Sequence, residues 1–247
     1  MRLMLWSVPR SRSTAFFRMM AERGDFIVVH EPFSYLVMYG HTDVGGTQVR
    51  SERDLVRALL DLPGQVFAKE STGVRYPEVL ATPEFLDRWT HTFLIRDPRE
   101  TIPSYLKLEP GTRIRNIGFE LMHELYTVVA EHTGRQPVVV DAADLVRDPE
   151  VTVKAYCAAT GIPFIREALS WQPGERPEWQ PSRRWHETVA ATTGFGAVSS
   201  GSATVPDAVA APYLRHHLPY YEALHARRLT PAYSMLAPAS APASRWP

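Results

Sequence analysis

The stretch that decides the fold is Met1-Arg2-Leu3-Met4-Leu5-Trp6-Ser7-Val8-Pro9-Arg10-Ser11-Arg12-Ser13-Thr14-Ala15-Phe16-Phe17-Arg18. Leu3 to Trp6 is a short apolar run that fits a buried strand. Ser7-Val8-Pro9 breaks it, a polar cluster follows from Arg10 to Thr14, and Ala15 to Arg23 resumes as a helix closed by Gly24. Strand, polar turn and helix make a cradle for an anion, because the first amides of a helix lack intrahelical acceptors and its dipole favours negative charge there. Ser13 and Thr14 add hydroxyl donors, and Arg10 and Arg12 add charge.

Outward from this loop, strands and helices alternate. Strands are expected at Asp25 to Val29, Gln65 to Ala68, Thr90 to Ile95 and Pro137 to Asp141. Helices are expected at Glu52 to Leu62, Pro83 to Trp89, Glu100 to Leu108, Ile114 to His132, Pro149 to Thr160 and Pro206 to Arg228, with Gly40 to Thr47 as a loop. The pattern predicts an α/β fold, a mostly parallel sheet of about five strands flanked by helices on both faces. The polar clusters Arg10–Thr14, His30–Glu31, Lys69–Thr72 and Arg96–Arg99 each follow a strand. Ligands of such sheets bind beyond the carboxyl ends of the strands, so these clusters are expected to converge on one site. One domain is expected over 1–235, with 165–205 as a lid or loop region and 236–247 as a disordered tail.

Composition narrows the classes. The 247 residues carry 27 basic and 27 acidic side chains, so no global positive field argues for nucleic acid. Lys69, Lys107 and Lys154 are the only lysines, which makes a lysine beside a site conspicuous. A single cysteine, Cys157, excludes an internal disulfide and any multi-cysteine metal site, and its setting is that of a buried helical thiol. Pro9 and four arginines interrupt the N-terminus too early for a signal peptide, and no apolar run approaches the roughly 18–20 residues that span a bilayer. A cytoplasmic location with no membrane partner is therefore expected.

The anion can be narrowed by motif. A Walker A loop is a poor match, because this loop has neither its glycines nor its lysine. Pro9-Arg10-Ser11-Arg12-Ser13-Thr14 resembles the 5′-phosphosulfate loop Pro-Arg-Ser-Gly-Ser-Thr of sulfotransferases that use 3′-phosphoadenosine 5′-phosphosulfate (PAPS), with Arg12 in the glycine's place. That family binds the 3′-phosphate with an arginine ending a strand and a serine eight residues on. Arg96 and Ser104 in Phe93-Leu94-Ile95-Arg96-Asp97-Pro98-Arg99-Glu100-Thr101-Ile102-Pro103-Ser104 have that pattern. The chain looks like a bacterial and fungal branch with a P-loop-like three-layer fold. The resemblance covers Met1 to Leu108 well, and beyond it only Trp185-His186 and Thr193-Gly194-Phe195 are familiar.

What the resemblance implies is transfer of a sulfuryl group from PAPS to a hydroxyl, or less readily an amine, of a small molecule, with no metal. It makes Arg10, Ser11, Arg12, Ser13, Thr14, Arg96 and Ser104 nucleotide ligands, with Arg183 and Arg184 as a basic loop closing over the 3′-phosphate. Arg10 would stabilise the leaving phosphate, and Lys69 matches a second family lysine. The family histidine after the third strand is missing, so the base falls to Glu31, which matches a glutamate of some bacterial members, with His30 and Glu70 behind it. Read alone, Lys69 is equally a solvated strand-end lysine, Arg96 a partner for Asp97 or Glu100, and Glu31 a helix N-terminal charge. Trp171 and Trp179 are expected to pack, as is Trp185, while Phe33, Tyr35 and Tyr39 hint at an apolar acceptor. His216, His217 and His225 are expected at the surface of the last helix. The competing functions are a small-molecule kinase of P-loop type and a nucleotide-binding protein without catalysis.

Overall fold

The structure is a computed structural model that describes residues 1–196 and 205–230. The expected tail at 236–247 and part of the expected 165–205 lid lie outside the described residues. The chain begins β1 (Arg2–Ser7), α1 (Ser13–Glu22), β2 (Ile27–His30) and α2 (Pro32–Tyr39). A hairpin of β3 (Thr42–Val44) and β4 (Thr47–Val49) leads to α3 (Glu52–Asp61), β5 (Val66–Ser71), α4 (Pro77–Ala81), α5 (Pro83–Arg88) and β6 (Thr90–Ile95). After α6 (Pro98–Leu106) come a 3₁₀ turn at Ile114–Ile117, α7 (Phe119–Thr133), β7 (Val138–Asp141), α8 (Ala142–Arg147) and α9 (Pro149–Thr160). Two 3₁₀ segments, Arg166–Leu169 and Pro177–Trp185, precede α10 (Glu187–Ala190) and the long α11 (Asp207–His225).

Five strands form one parallel sheet in the order β2-β5-β1-β6-β7. Side chains alternate across it. Met4, Trp6, Val66, Ala68, Phe93 and Ile95 face one core with α3 to α7 and α11. Leu3, Leu5, Phe67, Leu94 and Val140 face the other, against α1, α8 and α9. Burial on both faces explains why these strands read as near-continuous apolar runs. The expected α/β architecture is the one observed.

Several boundaries differ, each for a local reason. Gly45 and Gly46, at φ 59° and 82°, turn the expected 40–47 loop into the β3–β4 hairpin. β5 runs on through Ser71 because β2 pairs with it as far as Lys69 and β1 as far as Ser71. The expected helix over 114–132 breaks at Gly118, whose φ of 93° ends the 3₁₀ turn and starts α7. Asp141 accepts from the Ala143 amide and so caps α8 at the point where only a strand end was expected.

Gly118 also sets a close approach. A Cβ there would lie 2.8 Å from the Thr72 carbonyl oxygen, and the Thr72 hydroxyl already donates to the Gly118 carbonyl at 3.1 Å. Gly118→Ala combines a left-handed backbone with a backbone clash and is expected to destabilise by about 2 kcal/mol or more. Urea unfolding midpoints test this, with Gly111→Ala, whose Cβ meets nothing, as the unchanged control.

Candidate active site

At the carboxyl end of β1 the chain turns sharply. Arg10 and Arg12 both adopt left-handed backbone, at φ 65° and 67°. The Ser11 amide and hydroxyl donate to the Val8 carbonyl at 3.3 and 2.7 Å, which closes the turn. The Arg12 carbonyl then accepts the Ala15 and Phe16 amides and so starts α1. The amides of Arg12, Ser13 and Thr14 find no acceptor among the described residues, and no side chain caps this helix. They point outward as a ready anion site. The left-handed φ of Arg12 explains why a glycine suits this position in the motif it resembles, and why an arginine here carries strain.

Around this loop lies a cleft of about 1110 Å³. Arg10, Arg12, Ser13, Thr14, Arg96 and Ser104 all line it. Residues far apart in the chain touch here: Arg10 Nε donates to Ser104 Oγ at 3.1 Å, and Arg96 Nη1 donates to the Arg10 carbonyl at 3.0 Å. Burial, and then the charge of Arg96, lower the Arg10 pKa. Arg96 is itself buried, and it also pairs with Glu100, with Nε and Nη2 at 2.9 and 2.5 Å from Glu100 Oε2. Ser11 is the exception in the loop. Its side chain is fully buried in the turn and does not reach the cleft wall.

The C-terminal basic pair divides. Arg184 lines the rim, stacked 5.0 Å over Trp185 and paired with Glu109. Arg183 points elsewhere and pairs with Glu175 at 2.5 Å, off the cleft wall. Trp171 and Trp179 pack in the second core as expected, but Trp185 faces the cleft, where its carbonyl accepts from Arg10 Nη1 at 3.0 Å. Of the aromatics expected near an acceptor, Phe33 and Tyr35 are buried away from the cleft. Val37 and Met38, exposed on the next turn of α2, supply an apolar wall instead. His217 is buried, not at the surface, and its Nε2 lies 2.7 Å from the Ile114 carbonyl.

On the floor, Lys69 ends up buried and ion-paired with Glu31, so the solvated alternative for this lysine is ruled out by its burial. Glu31 sits at φ 44°, its amide bonded to the Lys69 carbonyl at 2.7 Å. Burial disfavours the Glu31 charge, but Lys69, His30 and His186 together outweigh it and lower its pKa to about 2. Glu70 behaves oppositely: burial, and then the charge of Glu31, push its pKa up to about 7. Its oxygens accept the Phe33 and Ser34 amides at 2.7 and 3.2 Å and the Ser34 hydroxyl at 2.5 Å, which anchors the start of α2. Neither Glu70 nor His30 lines the cleft, whereas Glu31 does.

His186, whose Trp-His context is its only sequence signal, lines the cleft and bonds to Thr14 Oγ1 at 2.8 Å. His30, Glu31 and His186 bring potential ligand atoms within 4.8 Å of one another. Lys69 already neutralises Glu31 and both His186 nitrogens are hydrogen-bonded, so a divalent cation there would have to displace an ammonium.

A family profile described as a sulfotransferase domain matches residues 76–228, more than half of the chain. The chain belongs to the sulfotransferase family. The matched span includes Arg96, Ser104 and His186, and the loop after β1 precedes it. Two Arabidopsis thaliana proteins, branched-chain-amino-acid aminotransferase-like proteins 1 and 2, are 31% and 29% identical to it over 81% of its length. The chain spans only 38% and 37% of those relatives. In fold it is similar to the crystal structure of a sulfotransferase from Alicyclobacillus acidocaldarius, with a TM-score of 0.54 at 13% identity, covering 94% of this chain and 98% of that one. No helix among the described residues is long and apolar enough to cross a membrane.

Burial lowers the His186 pKa from its ordinary 6.5 to about 4, so the unfolded chain takes up a proton across that window that the folded chain refuses. Stability is expected to fall as pH drops from 6.5 towards 4, by on the order of 3 kcal/mol from this residue. Thermal melts over that range should show a shallower loss in His186→Asn. Arg12→Gly, which relieves a left-handed arginine, is expected to leave the melting temperature unchanged or raise it slightly; a marked drop would mean that the side chain itself holds the loop.

Proposed function

We propose that this sulfotransferase moves a sulfuryl group from PAPS to the hydroxyl of a small molecule, with an amine as the less favoured acceptor. The observation that carries the proposal is the contact of Arg10 with Ser104 and of Arg96 with the Arg10 carbonyl, which joins two phosphate-binding motifs at one cleft. In this reading the free amides of Arg12, Ser13 and Thr14 hold the 5′-phosphosulfate, and Arg96 and Ser104 hold the 3′-phosphate. The Arg96–Glu100 pair is no obstacle. The Glu100 side chain is 53% exposed, so it can turn into solvent and leave the guanidinium to a phosphate.

Sulfuryl transfer resembles phosphoryl transfer in needing an in-line acceptor and cations around the developing charge. Arg10 meets the charge on the leaving phosphate oxygen. Glu31 accepts the acceptor's proton and, because it stays ionised, needs no prior deprotonation. Its low pKa makes it a weak base, suited to a proton that leaves late, once the new S–O bond has acidified the acceptor oxygen. Lys69 holds the Glu31 carboxylate in place and presents its charge on the cleft floor. Val37 and Met38 offer contact to an apolar part of the acceptor. The aminotransferase-like names belong to proteins that this chain spans only in part, and the cleft chemistry favours the sulfuryl donor.

Calorimetric titration with adenosine 3′,5′-bisphosphate is expected to show binding that Arg96→Ala weakens roughly tenfold or more. No binding by the wild type would sink the proposal. With PAPS and a panel of alcohols, phenols and amines, Arg10→Ala should lower kcat by roughly 10²–10³. Glu31→Gln should lower it by roughly 10²–10⁴, and binding without turnover by the wild type would point to a non-catalytic nucleotide binder. Because Glu31 stays charged down to about pH 2, kcat/KM should show no acid limb near neutrality. An acid limb there that survives in Glu31→Gln would place the base on another group.

A further inference from the structure

Five buried side chains from separate parts of the fold form one hydrogen-bonded chain. His30 Nδ1, at the end of β2, lies 2.8 Å from the Tyr35 hydroxyl on α2. Tyr35 lies 2.8 Å from Ser182 Oγ, in the Pro177–Trp185 segment, and Ser182 lies 2.8 Å from His186 Nε2. His186 Nδ1 then lies 2.8 Å from Thr14 Oγ1, in the first turn of α1. All five residues are less than 9% exposed, and Thr14, Ser182 and His186 line the cleft while Tyr35 and His30 lie behind it. Burial keeps both imidazoles neutral at pH 7, so each offers one donor and one acceptor.

What the cleft holds decides which way the donors run. If Thr14 donated to His186 and the chain ran unbroken towards His30, the His30 Nε2–H would be a buried donor, and that atom has no partner. If Thr14, His186 and Ser182 donate in turn, Tyr35 accepts from Ser182 and from the His30 Nδ1–H and donates to the Glu178 carbonyl at 3.3 Å, so every contact is kept. That arrangement turns the lone pairs of Thr14 towards the cleft, where they repel an anion. The direction that an anion selects starts with the His30 Nδ1–H and passes through Tyr35 and Ser182 to His186 Nε2. The His186 Nδ1–H donates to Thr14, and the Thr14 hydrogen is left for the cleft.

From this we infer that His186, Ser182 and Tyr35 are positioning residues that hold the Thr14 hydroxyl as a hydrogen-bond donor to the anion in the cleft. The inference rests on the cleft's taking the phosphosulfate. It gives the Pro177–Trp185 crossover a function beyond covering the loop: it carries the link between the two ends of the chain. Tyr35, which does not line the cleft, becomes coupled to nucleotide binding through three bonds.

Two measurements can fail without the function itself failing. Long-range ¹H–¹⁵N correlation of the histidine rings in the full chain saturated with adenosine 3′,5′-bisphosphate should show both His186 and His30 protonated on Nδ1. A His186 protonated on Nε2 in that complex overturns the proposal. In titrations with adenosine 3′,5′-bisphosphate, Thr14→Val should weaken binding roughly tenfold and Thr14→Ser should restore it. Tyr35→Phe should weaken binding roughly two- to fivefold, and the Thr14→Val/Tyr35→Phe double variant should bind no worse than Thr14→Val alone. Additive losses would show that Tyr35 acts through the general stability of the fold and would overturn the coupling. A wild type that binds no nucleotide would instead overturn the sulfotransferase reading of the cleft, on which the inference rests.

Discussion

β1 lies between β5 and β6 in a fully parallel sheet, and everything at the site depends on that placement. The chain leaves β1 at the point where strand order runs both ways, so neighbouring connections diverge and leave a crevice. The amides at the start of α1 open into it. Burial of β1 on both faces holds the strand rigid, and the loop after it tolerates two left-handed arginines only because sheet and helix fix its ends. Arg96, at the end of the next strand, clamps the loop by donating to the Arg10 carbonyl.

Electrostatics organises the second half of the cleft. Glu31, just after β2, and Glu70, within the neighbouring β5, are driven apart in pKa, the first held ionised by Lys69 and the second raised by burial beside that charge. The two carboxylates thus differ in what they do: Glu70 anchors α2 through backbone amides, and Glu31 remains the one facing the cleft. A buried ion pair such as Lys69–Glu31 is held in register by its surroundings more than it stabilises them, and the strained φ of Glu31 is consistent with that.

The architecture was legible because strand-helix alternation and apolar runs are local properties, and so were Arg10, Arg96 and Ser104, whose motifs are contiguous. Sequence adjacency puts Ser11 and Arg183 in the expected nucleotide site, but neighbouring side chains often face opposite ways: Ser11 closes the turn and Arg183 turns to Glu175. His186 stands out in the sequence only through its Trp185-His186 dipeptide. Its importance comes from meeting Thr14 across 172 positions, and no local pattern reports such a contact.

By itself, then, the sequence determined the sheet, the polar turn with free helix-terminal amides after its first strand and the residue types able to hold a phosphate, since these follow from periodicity, helix geometry and charge. Only the tertiary structure decided that Lys69 is buried against Glu31, that Glu70 is occupied by α2, and that Arg10 meets Ser104. The reason is physical: burial and long-range pairing set both the charge state and the direction of a polar side chain, and neither exists until the strands have brought distant segments together.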